Sequence, residues 1–80
     1  MREFIATFHT HLSALMTSRA LTELGVPARM MPVPRKLSSS CGTCVWYHSE
    51  EAHIAAMDED VEAVYEKIGK EEYTVLMNAD

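Results

Sequence analysis

At 80 residues, 48% of them apolar, the chain is the size of a single small domain, 1–80, and such chains bury only about 60% of their unfolded surface, so a dimer, a metal or a partner would add stability. Residues 1–40 carry five cations and two acids, net +3, and residues 41–80 carry two cations and ten acids, net −8; an acidic chain without a basic stripe is a poor candidate for binding nucleic acid, where phosphate neutralisation supplies most of the affinity. No apolar run resembles a signal peptide or approaches the roughly 20 residues of a membrane span, so the expected address is the cytoplasm, with no membrane partner, where two cysteines are more often reduced, reactive or metal-binding than a structural disulfide.

Strand and helix signals alternate along the chain. "EFIATF" sets Phe4, Ala6 and Phe8 against Ile5 and Thr7, the alternation of a strand. "HLSALMTSRALTEL" then places Ala14, Thr17, Leu21 and Leu24 at helical spacing, with Thr10 as the cap and Gly25-Val26-Pro27 as the stop. "ARMMPVP" reads as a second strand, confined to a sheet edge because Pro32 and Pro34 cannot donate to a ladder. "TCVWYH" reads as a third.

From Ser49 the spacing of Ile54, Met57, Val61, Val64, Tyr65 and Ile68 predicts a second helix, stopped by Gly69. Val61, Ala63 and Tyr65 also fit a strand that would hairpin through Gly69 onto "YTVLM"; helix is the reading taken, with Tyr73–Met77 as the last strand. The order strand, helix, strand, strand, helix, strand is α+β and ferredoxin-like, βαββαβ, a four-stranded antiparallel sheet with two helices on one face. That topology puts "FHTH" (8–11) and "SSSCG" (38–42) at the same end of the sheet, distant in sequence but neighbours in space. The acidic second half reads as a solvated helix face.

"FIATF", a helix ending in "LGVP", and above all "MPVPRKLSSSCG" resemble the small bacterial family of selenium/sulfur carrier-like proteins, over roughly residues 3–48. The resemblance implies that Cys41 is the family's cysteine and that it carries selenium or sulfur as a persulfide-like adduct. Cys44 lies outside the core motif.

The loop has features of its own that suit a reactive thiol. A free cysteine has a pKa near 8.5, and neighbouring cations and helix N-termini lower it; Arg35 and Lys36 are the cations, and the start of the first helix is expected at the same end of the sheet. Ser38, Ser39 and Ser40 are candidate hydroxyl donors to an anion, and Gly42 allows close approach of the backbone. His9 and His11 are candidate proton acceptors. Against these stand plainer readings: a serine-glycine turn, solvated cations, surface histidines (His48 and His53 included), Met30, Met31, Met57 and Met77 as core filling, and Trp46 as a packing residue.

Cys41 and Cys44 admit two geometries. If the third strand begins at Cys41, the backbones lie roughly 10 Å apart and the side chains point to opposite faces, so no disulfide forms. If Gly42 permits a turn, the pair can close and Cys44 becomes a resolving thiol; otherwise it is a small buried hydrophobe.

Three functions are therefore compared. The first, which is preferred, is a carrier using Cys41, with a sulfur or selenium donor and an acceptor protein as partners. The second is a zinc or thiol-redox module built on Cys41 and Cys44 with His9 or His11. The third is a non-catalytic interaction or homodimerisation domain. The preferred reading calls for no cofactor and no metal. It is more a carrier than an enzyme, since there is no Ser-His-Asp set and no phosphate-binding glycine loop.

Overall fold

Strand β1 (Arg2–Phe8) alternates as its sequence implies, with Phe4, Ala6 and Phe8 on one face and Ile5 and Thr7 on the other. In the computed structural model, which describes residues 1–79, all five are buried. β1 is the central strand of a five-stranded antiparallel sheet of order β2-β3-β1-β4-β5, formed with β2 (Ala28–Pro32), β3 (Thr43–Ser49), β4 (Val61–Gly69) and β5 (Glu72–Asn78). β2 lies at an edge, where Pro32, which has no N–H to donate, is tolerated.

Helix α1 (His11–Glu23) forms where expected. Thr10 has extended backbone, and its hydroxyl accepts from the N–H of Ser13 at 3.2 Å, satisfying a donor that the first turn leaves free. At the other end Gly25 takes a φ of +82°, while the N–H groups of Gly25 and Val26 donate to the carbonyls of Thr22 and Leu21. This paired closure needs a residue at ease in left-handed conformation. Ala14 and Leu21, with Val26 beyond the turn, pack against Phe4, Ala6, Phe8, Val45, Tyr47, Val61 and Val64. Leu24, expected on the buried stripe, is 59% exposed, and Val26 is buried instead.

The ferredoxin-like expectation holds only at the level of the α+β class: there is one α-helix and five strands, not two helices and four strands. Residues 50–60 form an irregular segment with a short 3₁₀ turn at Ile54–Ala56, and Ala52, Ala56 and Met57 pack against the core where a second helix was predicted. The segment is tied down by the Tyr47 hydroxyl, which donates to the Ala52 carbonyl, and by the N–H of Asp58, which donates to Thr17 Oγ1 at 3.0 Å.

The helical reading failed at Val61–Ile68 for a definite reason. Phe8 pairs with Val61 but Thr7 pairs with Ala63, so Glu62 is the extra residue of a β-bulge. The bulge puts Val61 and Val64, three residues apart, on the same core-facing side, a spacing that otherwise marks a helix. A second irregularity between Lys67 and Gly69 accompanies the exposed Ile68, and the hairpin into β5 follows.

The face of the sheet away from α1 is also covered. Ile5, Thr7, Cys44 and Ala63 are buried there, and Pro34 of the connection between β2 and β3 lies over this face with Trp46, Lys67 and Tyr73. Pro34 borders a hollow of about 180 Å³ together with Pro32, Cys44, Trp46 and Tyr73, while Leu37 and Ser38 share a second hollow with Tyr65 and Tyr73. Trp46 lies between two cations, with Arg29 at 4.9 Å and Lys67 at 5.8 Å from its ring centre. Among the described residues no helix is long and apolar enough to cross a membrane.

Leu21→Ala is expected to cost about 2–5 kcal/mol, the range for emptying a buried leucine site, whereas Leu24→Ala stays within about 0.5 kcal/mol. Urea unfolding midpoints of the two variants check this.

Candidate functional site

Two loops meet at one end of the sheet. The turn from β1 into α1 contributes His9, Thr10 and His11; the connection from β2 to β3 contributes residues 33–42. Ser39 Oγ donates to the Phe8 carbonyl at 2.9 Å, Ser40 Oγ lies 3.4 Å from His9 Nδ1, and Thr43 Oγ1 lies 3.5 Å from His11 Nδ1. The expected proximity of "FHTH" and "SSSCG" is thus present.

Cys41 sits at the close of this loop, half-buried and outside the strand, because β3 begins at Thr43. Gly42 adopts a φ of +74°. That left-handed turn folds the Cys41 thiol back so that it donates to the Thr43 carbonyl at 3.4 Å, with Ser39 Oγ at 3.7 Å. Cys44 is different. It is buried on the sheet face away from α1, its thiol is directed at the Pro32 carbonyl at 3.8 Å, and burial, with Cys41 adding a smaller effect, pushes its pKa up to about 11. Both cysteines are free.

The side chain that organises the loop is Glu62, on the bulge of β4. It accepts from the Ser40 N–H at 3.1 Å and the Ser40 hydroxyl at 2.7 Å, and His9 Nδ1 lies 3.3 Å away. Burial pushes the Glu62 carboxyl up, but the Ser40 hydroxyl and N–H, the Ser39 hydroxyl and the His9 charge outweigh it and hold it below the usual carboxylate range. Two residues earlier, Asp60 Oδ2 accepts from Thr10 Oγ1 at 3.1 Å and from Ser13 Oγ at 3.0 Å, and the Asp60 carbonyl accepts from the His9 N–H. The start of β4 therefore clamps both loops.

The remaining site candidates are dispersed. Ser39 and Ser40 direct their hydroxyls to the Phe8 carbonyl and the Glu62 carboxylate, while Ser38 is exposed and directs its hydroxyl to neither. Arg35 and Lys36 stand exposed on the turn closed by Leu37 N–H donating to the Pro34 carbonyl, and neither makes a hydrogen bond or ion pair among the described residues. Lys36 borders the hollow with Tyr65 and Glu71, on the β5 side of the sheet. Among the described residues no three of His, Cys, Asp and Glu converge where they would share a metal ion.

Sequence reasoning missed Asp60 and Glu62 because both were assigned to a solvated helix face. The available signal was the alternative strand reading of Val61, Ala63 and Tyr65, which brings the start of that strand beside the first.

Fold and site define a small α+β domain that presents a loop thiol beside a buried one. The family model described as "Putative Se/S carrier protein-like" matches residues 3–75, and the chain belongs to that family. A protein of Escherichia coli (strain K12), "Uncharacterized protein YtiA", is 37% identical over 46 residues, which is 58% of this chain and 54% of that protein, so the match spans about half of the relative's length. No solved structure matches.

Nothing lies within 4 Å of a methyl group built on Gly42, so Gly42→Ala tests the backbone alone. It is expected to destabilise by about 1 kcal/mol, with Gly42→Asn less costly because asparagine tolerates the left-handed region; urea unfolding of the two variants measures the difference.

Proposed function

We propose that this chain carries sulfur or selenium on Cys41, receiving it from a donor protein and passing it to an acceptor. The reading rests on one observation: the half-exposed thiol stands on the loop that bears the family's motif, inside the segment that the family model matches.

The chemistry is an exchange that needs no outside oxidant. The Cys41 thiolate attacks the outer sulfur of a donor persulfide, R–S–SH; a new S–S bond forms on Cys41, the donor's own S–S bond breaks, and the departing R–S⁻ takes up the proton that Cys41 gave. Selenium transfers the same way from R–S–SeH. Delivery reverses the polarity: an acceptor nucleophile takes the terminal atom and Cys41 leaves as thiolate. His9 and His11, on either side of the loop, are proposed as proton acceptors.

Arg35, Lys36 and Ser38, exposed beside the loop, are proposed to meet acidic groups of a donor or acceptor. A resolving role for Cys44 has little support, because a buried thiol with a pKa of about 11 stays protonated and is a poor nucleophile. A zinc site on Cys41 and Cys44 is likewise unsupported, since Cys44 points to the Pro32 carbonyl.

Incubation of the reduced protein with glutathione persulfide, or with its selenium analogue, followed by peptide mass mapping, tests the proposal. One added sulfur or selenium is expected on Cys41, absent from Cys41→Ser and retained in Cys44→Ser; no addition, or equal addition at both cysteines, would overturn it. Cys44 is expected to be alkylated at pH ~8 roughly two orders of magnitude more slowly than a free cysteine, following its small thiolate fraction, as timed iodoacetamide labelling of the folded protein will show.

A further inference from the structure

A β-bulge commonly re-aims a side chain next to a working site, and the bulged residue of β4 is Glu62. Its carboxylate spans from the strand to the N–H and hydroxyl of Ser40, the residue immediately before Cys41. Hydrogen bonds to an ionised carboxylate are about twice as strong as neutral ones. Among the described residues no other side chain hydrogen-bonds the backbone of residues 40–42; beyond Cys41 the loop is held by the Val33 N–H donating to the Gly42 carbonyl.

We infer that Glu62 is a positioning residue for Cys41: it latches Ser40 to β4 and so keeps the Cys41 thiol turned in, donating to the Thr43 carbonyl, until the latch is released. The inference rests on the reading of Cys41 as the working thiol, but its test does not require cargo. The groups around Glu62 are accounted for. His9, from the turn into α1, is its titratable contact; Asp60, in the turn just before β4, faces Thr10 and Ser13; His11 faces Thr43. No lysine or arginine pairs with Glu62 among the described residues. Because the carboxyl titrates below its usual range, the latch is complete at neutral pH and is lost only as the pH falls through that lowered value.

The experiment is the rate at which a dipyridyl disulfide, a reagent active on both sides of neutrality, modifies Cys41 in the intact chain, read by peptide mapping. Glu62→Gln is expected to raise the neutral-pH rate about fivefold, the effect of a charge-assisted hydrogen bond becoming a neutral one of about half its strength. Glu62→Asp, which keeps the charge on a shorter stem, should fall between. Asp60→Asn loosens the α1 cap and controls for general loosening; it should leave the rate within about twofold of wild type. In wild type the rate, corrected for the reagent's own pH dependence, should also step up below the usual carboxylate range, and Glu62→Gln should lack that step. A Glu62→Gln rate equal to wild type, an equal acceleration in Asp60→Asn, or an acid step that survives Glu62→Gln would each overturn the inference. Should Glu62→Gln fail to fold by circular dichroism, the wild-type acid step and Glu62→Asp decide the matter. A Glu62-dependent rate without sulfur or selenium loading would sink the carrier reading alone; loading with a Glu62-independent rate would sink this inference alone.

Discussion

Strand β1 is buried on both of its faces, and the rest of the structure answers to that constraint. Phe4, Ala6 and Phe8 are covered by α1, as in any two-layer domain. Ile5 and Thr7 need a cover too, and in so short a chain no second layer of helices supplies it. The connection between β2 and β3 contributes to that cover, with Pro34 and Leu37 lying along the side of the sheet away from α1. Val33, Pro34 and Leu37 are partly buried along this path, and the Ser39 and Ser40 hydrogen bonds to Phe8 and Glu62 fix its far end. A loop so held must end beside the turn into α1, and that is where Cys41 stands.

The two cysteines show how far environment outweighs chemical identity. They are three residues apart, yet Cys41 is half-exposed on a glycine turn while Cys44 is in a strand, buried and pushed to about 11. Burial makes a thiol inert and partial exposure makes it available. The hydroxyls of Ser39 and Ser40 are already committed, to the Phe8 carbonyl and to Glu62. This arrangement orders the loop without any bound group, which lowers the conformational cost of meeting a partner.

Much of the architecture was legible in local sequence. The Thr10 cap and the Gly25 stop bound α1 because each satisfies backbone groups that the helix leaves free. Pro32 in β2 and Pro34 just after it pointed to an edge position, which β2 occupies. Val61–Ile68 was misread because a bulge in a strand and a turn of helix both return side chains to one face after three residues, and periodicity alone does not separate them. The length of the candidate helix hid the break at Asp60. With it went the carboxylates of Asp60 and Glu62, which looked like solvated charge and are instead ligands of two loops.

What the sequence determined by itself is what rests on neighbours a few residues apart: the first strand, the capped helix, and the motif that carries the family resemblance. Tertiary structure alone decided which thiol is exposed, where the serine hydroxyls point, and that Glu62 reaches Ser40 across 22 positions of chain. The physical reason is that a hydrogen bond between distant segments depends on sheet order and strand register. A single bulged residue in β4 settles both the face that Val61 presents and the direction of Glu62, and nothing in the spacing of its neighbours distinguishes that bulge from a helical turn.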